Sequence, residues 1–150
     1  MPNIFIILGE GDTRKSSTIR ALTGVAQRRI YQIALAHGGD IGVFVQIVAL
    51  QEKGISPKKF VNEVTQKKRT NVLVSLRVKK TKRHPDGNVY IQNFLRVGWN
   101  IQEIVVLGLG REQLDYNLPE GLPVLRFIPA SREMPANRIA SQVRKWWQWL

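Results

Sequence analysis

Five consecutive apolar residues, Ile4, Phe5, Ile6, Ile7 and Leu8, run without a polar interruption straight into Gly9. A run of that length bounded by glycine is a strand buried in a core, and the rest of the chain must supply the layers that bury it. The downstream pattern does so by alternation. Residues 16–23 read as a short helix stopped by Gly24, and 29–36 as a second strand before the breaker Gly38, Gly39. Residues 41–53 mix β-branched residues with apolar positions at helical spacing (Ile41, Phe44, Val45, Val48). Their ending, good helix formers followed by Gly54 and Ile55, predicts a helix. Ser56 and Pro57 open another helix as cap and first residue. Strands at 71–76, 104–107 and 123–128, a helix at 89–97 and a last helix from about Pro135 complete the series. This rhythm predicts an α/β fold in one domain over residues 1–150: three layers, doubly wound, with a mainly parallel five-stranded sheet.

The residues after the first strand read Gly9, Glu10, Gly11, Asp12, Thr13, Arg14, Lys15, Ser16, followed by Ser17, Thr18 and Ile19. A phosphate-binding loop needs glycines so that backbone N–H groups can close around an anion. It also needs a lysine to reach the outer phosphates and a hydroxyl for magnesium, in the pattern GxxxxGK[ST]. Gly9, Lys15 and Ser16 fall in register, and Arg14 stands where the pattern has its second glycine. Over residues 1–24 the chain resembles the P-loop nucleoside-triphosphatase family. The resemblance implies that Gly9, Gly11, Asp12, Thr13, Arg14, Lys15, Ser16 and Ser17 hold ATP or GTP, that Lys15 serves catalysis and that Ser16 holds magnesium. It also implies hydrolysis or phosphoryl transfer as the reaction class, and a P-loop-like sheet. Family members commonly end a hydrophobic strand with an Asp that serves the magnesium. Here residues 72–74 run into Ser75 and 105–107 into Gly108. Asp40, after the second strand, is the best-placed substitute carboxylate, though a helix cap is its simpler reading; Glu10, Asp12 and Asp86 are further candidates. The missing strand-end acid and Arg14 together predict weak or absent turnover.

The net charge of +12, with an isoelectric point near 10.6, favours a polyanionic partner. In a doubly wound sheet the loops after the strands share one edge. Those loops carry Arg77, Lys79, Lys80, Lys82 and Arg83 after the third strand, Arg111 after the fourth and Arg132 after the fifth. The run from Arg77 to Arg83 reads as a clamp for nucleotide or nucleic-acid phosphates, or as a solvated charge run. Hence the alternative function: a basic DNA- or RNA-binding protein using the same fold without catalysis. The chain has no cysteine, which excludes disulfides, thiolate metal sites and cysteine nucleophiles. His37 and His84 read as turn residues. With no apolar run of about eighteen residues and no basic segment ahead of the first strand, a cytoplasmic protein with no membrane partner is expected. Helical phase places Trp146 and Trp147 on an apolar face with Ile139, Ala140 and Val143, leaving Trp149 as the exposed contact.

Overall fold

The opening apolar run forms β1 (Asn3–Gly9), in which Ile4, Ile6, Ile7 and Leu8 have no solvent exposure. The computed structural model describes residues 1–24, 29–118 and 125–150. After β1 comes α1 (Lys15–Thr23), ended as predicted by Gly24 in the left-handed region (φ 73°), whose N–H donates to the Arg20 carbonyl at 2.7 Å.

The next two elements correct the sequence reading. β2 (Arg29–Ala34) and β3 (Asp40–Gln46) form an antiparallel pair with Ala34 opposite Asp40, so residues 41–46 of the predicted helix at 41–53 are strand. The reason is burial: the second half of β3 is enclosed on both faces, with Phe44 in one core cluster and Val43 and Val45 in the other. A doubly buried strand loses its polar alternation, and its apolar residues then match a helical template by accident. Asp40 therefore opens a strand and caps no helix. Only α2 (Leu50–Lys53) is helical in this stretch, and it stops where expected. Gly54 takes φ 76° and the Ile55 N–H donates to the Leu50 carbonyl at 2.9 Å.

α3 (Pro57–Gln66) starts at its predicted cap, Ser56, whose hydroxyl accepts from the Lys59 N–H at 3.2 Å. β4 (Asn71–Leu76) is followed by α4 (Gly87–Arg96), which begins two residues before the predicted start because Asp86 caps it, accepting from the Val89 N–H at 3.0 Å. β5 (Asn100–Leu107), β6 (Leu125–Ile128) and α5 (Ala136–Trp147) follow. Residues 123 and 124 of the predicted last strand lie outside the described residues.

The sheet has six strands, one more than expected, in the order β2-β3-β4-β1-β5-β6. All pairings are parallel except β2 with β3. Alternate residues of β1 face opposite layers. Ile4, Ile6 and Leu8 pack with Phe60, Val64, Tyr90, Ile91 and Phe94 of α3 and α4. Phe5 and Ile7 pack with Ile19 and Leu22 of α1 and Ile139 and Val143 of α5. Arg144 of α5 donates to the Ala21 and Leu22 carbonyls at 2.5 and 3.3 Å, satisfying the C-terminal turn of α1.

The tryptophan assignment also changes. Gln148 takes a left-handed φ of 58° and ends α5, so helical phase no longer applies to Trp149. Trp149 is buried, with its ring 5.0 Å from Phe5, and Trp147 is buried beside it at 5.0 Å; Trp146 is only half-buried, lying under the Arg126 guanidinium. Residues 148–150 lie along the outer edge of β2: Ala36 N–H donates to the Gln148 carbonyl at 2.9 Å and Leu150 N–H to the Ala34 carbonyl at 2.8 Å. Among the described residues no helix is long and apolar enough to cross a membrane.

Candidate functional site

The chain leaves β1 toward the β3 side of the sheet, whereas it leaves β4 and β5 toward the other side. The C-terminal end of β1 is thus a topological switch point, where diverging connections leave a crevice. A cleft of about 470 Å³ opens there, lined by Gly11, Asp12, Arg14, Lys15, Ser16, Ser17, Glu52 and Arg132. Its volume lies within the range of small-molecule sites, roughly 300 to 1,000 Å³.

The loop from β1 to α1 is held by its own carbonyl. The Glu10 carbonyl accepts from the Thr13 hydroxyl at 2.6 Å and from the Lys15 ammonium at 2.9 Å. Gly9 is required by this closure: a Cβ there would lie 2.5 Å from Thr13 Oγ1 and 3.0 Å from the Leu107 carbonyl oxygen. Gly11 faces open space. Asp12 and Arg14 adopt left-handed backbone, φ 62° and 77°, and the Arg14 guanidinium donates to the Arg132 carbonyl at 3.2 Å. Arg14 thus holds the conformation a glycine would hold most cheaply while its side chain points to the cleft wall.

Helix α1 begins immediately after that turn. Its first intrahelical bond runs from the Thr18 N–H to the Arg14 carbonyl, so the earlier amides have no carbonyl to bond within the helix. No side chain caps them and no acidic residue lies in the first turn. Lys15, 6% exposed, sits at this positive end. Burial pushes its ammonium below the ordinary lysine range; Glu52 opposes that shift, Arg77 reinforces it, and Glu10 and Asp12 oppose it more weakly. Ser16 is half-buried, its hydroxyl 3.5 Å from the Ile47 carbonyl oxygen.

Of the carboxylates named from sequence, Glu10 and Asp12 are at the site. Asp40 is not. It lies at the start of β3, about nine residue steps below the level of Gly9, or roughly 30 Å along the strands. Asp86 caps α4. Glu52 of α2 lines the cleft and was missed by sequence reasoning: nothing local in a four-residue helix signals that it folds beneath the loop.

The basic residues divide. Arg77 is an internal cation, with a nitrogen 2.8 Å from Glu10 Oε2 and another 3.6 Å from Glu52 Oε1. Gln51 fixes its backbone, accepting from the Arg77 N–H at 3.0 Å and donating to its carbonyl at 3.1 Å. Arg111 lies over the Phe127 ring at 4.9 Å, and Arg132 donates to the Gly108 carbonyl at 3.1 Å at the cleft mouth. Lys79, Lys80, Lys82 and Arg83 are exposed on the same sheet edge. His37 and His84 lie in turns, His84 bonding Thr81 through its backbone. Among the described residues no three His, Asp or Glu side chains gather as a metal site. Compared with family models, curated proteins and solved structures, the chain matches none.

Proposed function

We propose that the cleft binds the phosphates of a nucleoside triphosphate, ATP or GTP, with weak or no turnover, as in a degenerate P-loop. The observation that carries this reading is the start of α1. An uncapped helix N-terminus, a buried lysine and a loop whose last residue, Arg14, keeps a glycine-like φ without being glycine all converge on one cleft. Helix amides and their dipole favour an anion at that point, and a buried cation with a depressed pKa is stabilised by one.

The residues fit the phosphate part of the ligand. The amides of residues 11–16 and the Lys15 ammonium would hold the oxygens, with Arg14 and Arg132 at the mouth. They fit magnesium less completely. Ser16 and Glu52 are the oxygens that would face its water shell, and bound magnesium would neutralise phosphate charge. At the end of β4, where the family's carboxylate is common, stands Ser75, fully buried and with its hydroxyl unpartnered. With no acid there to orient a water, slow hydrolysis is the expectation.

Calorimetric titration with ATP, GTP and their diphosphates, with and without magnesium, tests the proposal. Selective triphosphate binding supports it, and an absence of heat with any nucleotide overturns it.

A further inference from the structure

The run from Arg77 to Arg83 reads from sequence as a phosphate clamp or a solvated charge run, and the fold ties it down on several sides. Val78 is buried in the core, and its carbonyl accepts from Tyr116 Oη at 2.5 Å and from the Gly87 N–H at 3.3 Å. The Thr81 N–H donates to the His84 carbonyl at 2.9 Å and the His84 N–H to Thr81 Oγ1 at 3.2 Å, closing a turn. Gln51 holds the far side through the Pro85 carbonyl at 3.3 Å, and the Lys79 N–H donates to Glu10 Oε1 at 2.5 Å. From this anchored turn Lys79, Lys80, Lys82 and Arg83 project into solvent, and none of the four forms an ion pair among the described residues.

We infer that this turn is a preformed binding surface for the phosphodiester backbone of nucleic acid, beside the cleft and separate from it. Four cations within five residues, with no acidic residue between Arg77 and Asp86, leave an unneutralised positive field. An ordered turn presents that field without a loop-ordering cost at the moment of binding. The turn exposes no large apolar side chain. It therefore lacks the buried anchor a protein interface centres on and the apolar wedge a membrane surface takes. Recognition by charge alone, without an apolar anchor, is what a phosphate backbone requires. The inference goes beyond the nucleotide proposal and stands without it.

The test is fluorescence anisotropy of a labelled single-stranded oligonucleotide of mixed sequence across a salt series. Each phosphate contact contributes about 0.7 to the slope of log affinity against log salt. Changing Lys79, Lys80 and Lys82 together to Gln should flatten that slope by about 2 and weaken binding roughly 100-fold near 0.1 M salt. Lys15→Ala should leave strand binding intact, because its ammonium is turned inward to the Glu10 carbonyl. ATP titration of both variants reads the nucleotide proposal separately. Unchanged slope and affinity in the triple variant overturn the inference, as does failure of the parent protein to bind. Tighter binding to an acidic peptide or to anionic vesicles than to the oligonucleotide overturns it as well.

Discussion

Helices α1, α3 and α4 all start on the same edge of the sheet, yet their first turns are built differently. α3 and α4 are closed by their own chain: Ser56 and Asp86 accept from amides three residues on. α1 begins from a left-handed arginine, has no capping side chain and buries a lysine where an acid would be stabilising. A side-chain cap contributes about 1 kcal/mol, and a left-handed non-glycine residue costs of order 1–3 kcal/mol. α5 also starts without a capping side chain, so what sets α1 apart is its left-handed arginine and its buried lysine. The proposed phosphate site accounts for that difference, since it needs a first turn left open and cationic where α3 and α4 are closed by their own chain.

The largest effect expected is on binding. Lys15→Ala should cost nucleotide affinity at least about 100-fold, the order of a lost charge-assisted contact of roughly 1.5–3 kcal/mol plus its field. Its melting temperature should change little, since the buried ammonium is disfavoured by desolvation. Isothermal titration beside thermal melting checks both, and retained affinity would make the open start of α1 a mere packing variant.

Next comes the loop itself. Gly9→Ala forces a Cβ to within 2.5 Å of Thr13 Oγ1 and should destabilise by about 1–3 kcal/mol. Gly11→Ala, in open space, should stay within about 0.5 kcal/mol. Denaturant melts of the pair measure how tightly the loop is built; equal costs would show that its closure is not steric.

The helix comparison can then be inverted. Arg14→Gly should stabilise by about 1 kcal/mol by relieving the left-handed backbone, whereas Ser56→Ala should destabilise by about the same amount. If Arg14→Gly destabilises, the bond from Arg14 to the Arg132 carbonyl outweighs the backbone term.

The smallest effect is a pH dependence. Lys15 has a folded pKa below its unfolded value of 10.5, so between the two the unfolded chain binds more protons. Stability therefore rises with pH in that window, and Lys15→Met should remove the rise. Tyr90, whose hydroxyl burial pushes up to about 12, has the opposite sign and enters only above about pH 10, where unfolded tyrosine ionises. Urea melts between neutrality and pH 10 isolate the lysine, and a parent curve parallel to the variant's would remove Lys15 as its cause.

Local signals in the sequence were faithful where local chemistry decides. Gly24, Gly54 and Ser56 end or begin their helices as read, because a cap is settled within a few residues. β3 was misread because burial on both faces is a property of the assembled sheet, invisible in residues 40–46 alone. Trp149 was misplaced because one left-handed residue, Gln148, breaks the phase on which the reading relied. At the site the loop was legible as a contiguous motif, and its distant parts were not. Glu52 reaches the cleft, and Arg77 spends its charge on Glu10 and Glu52, through contacts that span 25 residues or more. Asp40 was favoured by its position in the chain and lost to its position in the sheet.

One consequence follows from residues 148–150 beside β2. An outermost strand presents unpaired donors and acceptors to solvent, a template on which a second molecule can add its own strand. The backbone bonds from Ala36 to Gln148 and from Leu150 to Ala34, with Trp149 seated on Phe5, occupy part of that template from within the same chain. Residues 148–150 thus cover the chain's own edge at Ala34 and Ala36, and the rings of Phe5, Trp147 and Trp149 beneath them hold that cover in place.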